Sequence, residues 1–118
     1  MLTSKIHGYL DYITVLFFAI APSIFSLSQT GTYLAYFLAV VHFLMTIFTA
    51  FSSGAIKLIP FQVHGYVELA VSLLLLAGPW LLADSFSSTD QIFFTVCGAA
   101  VLIVWLLTKY KSPLKNDF

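Results

Sequence analysis

The chain is poor in charge. Among 118 residues there is no arginine, and five lysines with five acids make up only 8% of the sequence, against roughly 25% in an ordinary soluble domain. Ten charged side chains are too few to cover a water-soluble domain of this size, so a soluble monomer is excluded. A net charge of zero without a basic run removes the electrostatic footprint of nucleic-acid binding, and no nucleic-acid partner is expected. The single cysteine, Cys97, sits in an apolar run; it offers neither a disulfide framework nor a thiolate metal cluster and leaves the redox compartment open. Hydrophobic residues make up 60% of the chain, and the class that remains is an integral membrane protein with the lipid bilayer as its surroundings.

Crossing roughly 30 Å of hydrocarbon takes about 20 apolar residues as helix. The sequence divides into four such runs, at 4–21, 32–51, 61–83 and 89–108. The expected fold is all-α: a single polytopic membrane domain over 1–118 with four transmembrane helices. Pro22 to Gly31, Ser52 to Pro60 and Asp84 to Ser88 read as turns. Ser88 with Gln91 fits a capping box, and Pro60 suits a first helical turn, where no N–H partner is needed. Lys5 followed by an apolar run and Ala19-Ile20-Ala21 imitates a cleaved leader, but the same run has a copy later in the chain, so a retained helix is expected.

Lys5, Lys57, Lys109, Lys111 and Lys115 all fall on one side of this arrangement, which the positive-inside rule makes cytoplasmic, together with both termini. Tyr9, Tyr66, Trp105 and Tyr110 then form an inner aromatic belt, and Tyr33, Tyr36 and Trp80 an outer one.

Sliding the chain by 57 residues superposes His7-Gly8-Tyr9 on His64-Gly65-Tyr66, Asp11 on Glu68 and Pro22 on Pro79. The repeats cover 3–51 and 60–108. Each holds two spans, so the copies are expected to be related by a two-fold axis along the membrane normal rather than inverted.

Two-span tandem units with a proline late in the first helix resemble the SPW-repeat family of small bacterial membrane proteins. The matching tripeptides are Ala21-Pro22-Ser23 and Gly78-Pro79-Trp80, neither of which is Ser-Pro-Trp. The resemblance implies a repeat architecture in a bacterial inner membrane and no established activity.

Ionisable residues inside a span point to function by default. His7 with Asp11, and His64 with Glu68, are four apart, which puts each pair on one helix face with the acid about 6 Å deeper. Asp11 lies about 10 Å along its helix from Ser4, inside the hydrocarbon. If both faces point at the axis, two histidines and two carboxylates meet, a donor set that suits a divalent Zn, Mn or Fe ion. The competing reading is that His7 bonds Glu68 and His64 bonds Asp11 across the axis as interhelical glue, with Gly8 and Gly65 allowing close approach.

His42 aligns with Ala99 at this offset and lies on a small, polar stripe of Ala35, Ala39, Thr46 and Thr49. It is either a further ligand or proton-path member, or a neutral side chain bonded to Thr46. Pro22 and Pro79 free the carbonyls of Phe18 and Leu75 and stop or bend their helices. Asp84 and Asp90 read as solvated loop and helix-start acids, Asp117 as a tail acid, and Cys97 as a packing residue.

Several function classes follow. The first is a membrane module that binds a cation, metal or proton at the His/carboxylate cluster. The second is a structural or partner-regulating bundle. The third is a membrane-embedded enzyme acting on a lipid or quinone-like substrate, with histidine as base; no nucleophile accompanies the cluster, so an enzyme is the weaker expectation and no catalytic residue is assigned. Bis-histidine haem ligation by His7 and His64 is a further candidate. A pore needs more lumen than four helices give, hence a homo-oligomer or a membrane partner protein.

Overall fold

The computed structural model describes residues 2–49 and 56–108. These form four helices, α1 (Ser4–Ile24), α2 (Gln29–Ile47), α3 (Phe61–Leu81) and α4 (Ser88–Leu107), with one 3-10 turn at Ala83–Ser85 before α4. All four are long and apolar enough to cross a membrane; at 19 to 21 residues each they extend about 30 Å. Lys109, Lys111, Lys115, Tyr110 and Asp117 lie outside the described residues, as does the end of the first repeat at Phe51.

Local chemistry sets the helix starts. Thr3 caps α1 by accepting from the Ile6 N–H at 3.3 Å, and Ser28 caps α2 through the Gly31 N–H at 3.0 Å. Pro60 precedes α3 without a side-chain cap. At α4 the expected capping box is displaced by one residue: Ser87 is the cap, its hydroxyl accepting from Asp90 N–H at 3.1 Å while Asp90 accepts from Ser87 N–H at 2.9 Å. Gln91, the expected partner, instead donates to the Pro79 carbonyl at 3.1 Å.

Two boundaries move for the same kind of reason. Pro22 does not stop α1, which runs on to Ile24 with the Phe25 N–H bonded to Ala21 O at 2.8 Å; a proline in the last turn removes one bond without breaking the turns before it. α2 begins three residues earlier than hydropathy suggests because its start is fixed by the Ser28 cap rather than by the first apolar side chain.

Helix α1 packs on α2 and α3 on α4. At one end of the bundle two isolated parallel bridges close the remaining seams: Leu2 pairs with Thr108 and Thr49 with Ile59, with Leu2 N–H donating to Leu107 O at 2.7 Å and Ile59 N–H to Phe48 O at 2.8 Å. The start of α1 therefore meets the end of α4, and the end of α2 meets the start of α3. α1 and α3 face each other across the middle.

Burial is inverted relative to a soluble domain. Leu16, Phe37, Leu74 and Ile92 are more than 60% exposed, whereas His7, His64, Thr46, Thr49, Ser72 and Asp90 are fully buried. An exterior of large aliphatic groups is what lipid contact favours. The apolar core, including Phe18, Ala35, Leu75, Phe93 and Phe94, fills the half of the bundle away from the bridges.

That half is closed by a residue the sequence reading placed in solvent. Asp90 is buried because it serves two helix starts at once: besides Ser87, it accepts from the Ser28 N–H at 2.9 Å and from the Ser28 hydroxyl. Gly31 makes room for it, since a Cβ at Gly31 would overlap the Asp90 carboxylate. At Gly98, similarly, a Cβ would stand 3.0 Å from Leu75 Cβ and from the Ser72 carbonyl, so the missing side chain sets the approach of α4 to α3.

Candidate metal centre

The first turns of α1 and α3 carry His7 and His64, and the next turn of each carries Asp11 and Glu68. All four are buried, and one donor atom from each can be chosen so that the four atoms lie within 4.8 Å of one another. The structure thus brings together the residues singled out by the motif. His7 Nε2 lies 2.5 Å from Glu68 Oε1 and 3.2 Å from Asp11 Oδ2. His64 Nε2 lies 2.8 Å from Asp11 Oδ2 and 3.3 Å from Glu68 Oε1. The shorter contact in each case crosses between α1 and α3, so each histidine pairs most closely with the acid of the other helix.

Two residues that the motif did not reveal hold the imidazoles from behind. His7 Nδ1 is 2.8 Å from Thr108 Oγ1, and His64 Nδ1 is 2.7 Å from Thr49 Oγ1. Each threonine hydroxyl has one proton and gives it to the carbonyl one turn earlier, Thr108 to Val104 O at 2.6 Å and Thr49 to Met45 O. Toward the imidazole the hydroxyl can only accept. Each ring therefore donates from Nδ1–H, and its Nε2 is the atom turned into the cluster. This is the tautomer that metal-bound imidazole adopts when its other nitrogen is held by an acceptor. Thr49 was visible only as part of the α2 stripe; Thr108 had no sequence signal at the 57-residue offset.

His42 approaches from α2. Its Nε2 is 3.3 Å from Asp11 Oδ1 and 3.5 Å from Glu68 Oε2, the carboxylate oxygens on the side opposite those that meet His7 and His64. Of the two readings that the sequence leaves open for His42, a further member of the cluster or a ring bonded to Thr46, the second does not hold: the Thr46 hydroxyl donates to the His42 backbone carbonyl at 2.7 Å. A Ser or Thr in mid-helix commonly satisfies itself this way, leaving a neighbouring ring free to turn inward.

Bis-histidine haem ligation does not fit, because the space between the two Nε2 atoms is taken by Asp11 Oδ2 and Glu68 Oε1. Tyr9 and Tyr66 are more than half exposed and are not among the cluster residues. Cys97 is buried and lines an apolar cavity of about 300 Å³ between α1 and α4, whose floor includes Asp11, His42 and Glu68.

As metal ligands the two imidazoles are neutral, and with two carboxylates they then carry a charge of minus two, which one divalent cation cancels. Ligands about 2.1 Å from a tetrahedral ion stand about 3.4 Å apart; the four histidine-to-carboxylate separations, 2.5 to 3.3 Å, reach that by opening less than about 1 Å. Comparison of the chain with protein-family models, with curated proteins and with solved structures finds no match.

Proposed function

We propose that the protein is a small integral membrane module that binds one divalent transition-metal ion through His7, Asp11, His64 and Glu68. The observation that carries this reading is the pair of threonines: by accepting from Nδ1–H they turn both Nε2 atoms toward two carboxylates. A nitrogen and an oxygen lone pair facing each other need a positive charge between them.

The same reading takes the bundle as a duplicated two-helix unit. Leu2 and Ile59, which occupy equivalent bridges, are 57 positions apart, whereas their partners Thr49 and Thr108, and the caps Ser28 and Ser87, are 59 apart. A two-residue difference in the turn before α4 accounts for this, and the position equivalent to His42 then becomes Val101 rather than Ala99. Lys5 and Lys57 both flank the cluster end of the bundle, which supports placing that end and the termini on the cytoplasmic side of a bacterial inner membrane.

The test is calorimetric titration of Zn²⁺ into the purified protein in detergent. One ion per chain with a dissociation constant below about 1 µM, equivalent to about 8.2 kcal/mol, is expected, and His7→Ala or His64→Ala abolishes it. The cross-bundle contacts at 2.5 and 2.8 Å also favour a second reading, interhelical glue with protons in place of the ion. That reading stands instead if the wild-type protein takes up no Zn²⁺, Mn²⁺ or Fe²⁺ and the histidine variants only lower its melting temperature.

A further inference from the structure

Building on the metal-binding reading, we infer that His42, Asp11 Oδ1 and Glu68 Oε2 form a second divalent-cation position, so that the two carboxylates bridge a pair of ions. His7 and His64 meet Asp11 through Oδ2 and Glu68 through Oε1, while His42 faces Oδ1 and Oε2. Each carboxylate thus divides its two oxygens between two groups of imidazoles. Carboxylates used in this way hold paired metal ions about 3.5–4 Å apart.

The His42 distances, 3.3 and 3.5 Å, lie beyond the usual N–H···O range of about 2.7–3.2 Å. They match the separation of two ligands on one ion, about 3.0 Å at right angles and about 3.4 Å at the tetrahedral angle for bonds of about 2.1 Å. His42 Nε2 is also buried and, although within ion-pair reach of both carboxylates, is aligned for a hydrogen bond with neither, an arrangement that leaves its polar atom poorly satisfied. A cation between this nitrogen and the two oxygens gives the nitrogen a well-aligned partner.

The two positions differ in kind. The first has four protein ligands and lies in the middle of the bundle. The second has three, and its remaining coordination positions face the cavity between α1 and α4, whose walls include Thr14, Phe18, Cys97 and Val101. Closed sites with four protein ligands are structural in character, whereas sites with three keep a place for an outside ligand. Because the first ion already cancels the carboxylates, the second brings uncompensated positive charge into a low-dielectric setting. It therefore binds more weakly and takes an anionic oxygen ligand, such as hydroxide, from the cavity side. One imidazole with two carboxylates suits Mn²⁺ or Fe²⁺ better than a thiophilic ion.

The experiment is titration of Mn²⁺ into the purified full chain in detergent, read by elemental analysis and by electron paramagnetic resonance. Two Mn²⁺ per chain are expected at saturation, the resonance changing from the resolved hyperfine pattern of an isolated ion to the broadened signal of a coupled pair. His42→Ala halves the saturating metal content and restores the isolated-ion pattern, with its melting curve reporting whether the fold is kept. The inference is overturned if the wild-type protein saturates at one Mn²⁺ with an isolated-ion spectrum, or if folded His42→Ala still holds two. A single ion lost on His7→Ala overturns the second position and leaves the first standing; no bound Mn²⁺, Zn²⁺ or Fe²⁺ at all overturns both.

Discussion

A threonine hydroxyl has one proton to give, and Thr49 and Thr108 have both given theirs to backbone carbonyls. That small fact decides which nitrogen of His7 and His64 is offered to the cluster. Removing the hydroxyl while keeping the shape, as in Thr108→Val or Thr49→Val, is expected to weaken Zn²⁺ binding about 10–100-fold with the helices intact, whereas Thr108→Ser restores it. Competition with a metal indicator measures the change; equal affinity in the valine variants would show that the threonines merely fill space. The four central residues were readable in the sequence because a repeated His-to-acid spacing stands out against apolar surroundings. Thr108 was not, because a threonine at the end of an apolar run is ordinary and the ungapped offset aligns it with Phe51. His42 was legible as an inward residue and as a candidate further member of the cluster, but the sequence did not decide between Asp11 and Glu68 on the one hand and Thr46, its nearer neighbour in the chain, on the other.

At the scale of the helix, Asp90 shows how a local reading goes astray. In sequence it is an acid in a first turn, favourable beside the helix dipole and content with water. In the folded chain Ser28 arrives from α2, and one carboxylate caps two helix starts. Gly31→Ala places a methyl group where that carboxylate sits and is expected to destabilise the bundle by about 1–3 kcal/mol, the usual range for overpacking. Asp90→Ala removes acceptors from Ser28 and Ser87 together and is expected to act in the same direction. Thermal melts in detergent check both, and a Gly31→Ala variant that melts with the wild type would contradict the tight fit. Hydropathy located all four helices, yet it mistook where α1 ends and α2 begins, because hydrogen bonds at Ser28 and Ala21 fix those boundaries and apolar content does not.

Across the described residues, the interior holds a polar half beside an apolar one, and the exterior is made of large hydrophobic side chains. Leu74, exposed near the middle of α3, is expected to resist charge: Leu74→Lys costs insertion about 2.5–3.5 kcal/mol, seen as a reduced membrane-integrated fraction, whereas Leu74→Ile leaves that fraction unchanged. The apolar exterior was legible from ten charges in 118 residues, since so few charged side chains cannot cover the surface of a bundle this size. What composition does not give is how the helices close into a ring. The bridges Leu2 to Thr108 and Thr49 to Ile59 join the seams on which no hairpin acts, and they are the same kind of seam. Neither bridge depends on which hairpin comes first in the chain. A chain reordered to run α3, α4, α1, α2, with its break between α2 and α3 and its new join between α4 and α1, is therefore expected to meet the same contacts among the described residues and to melt, in detergent, close to the present one.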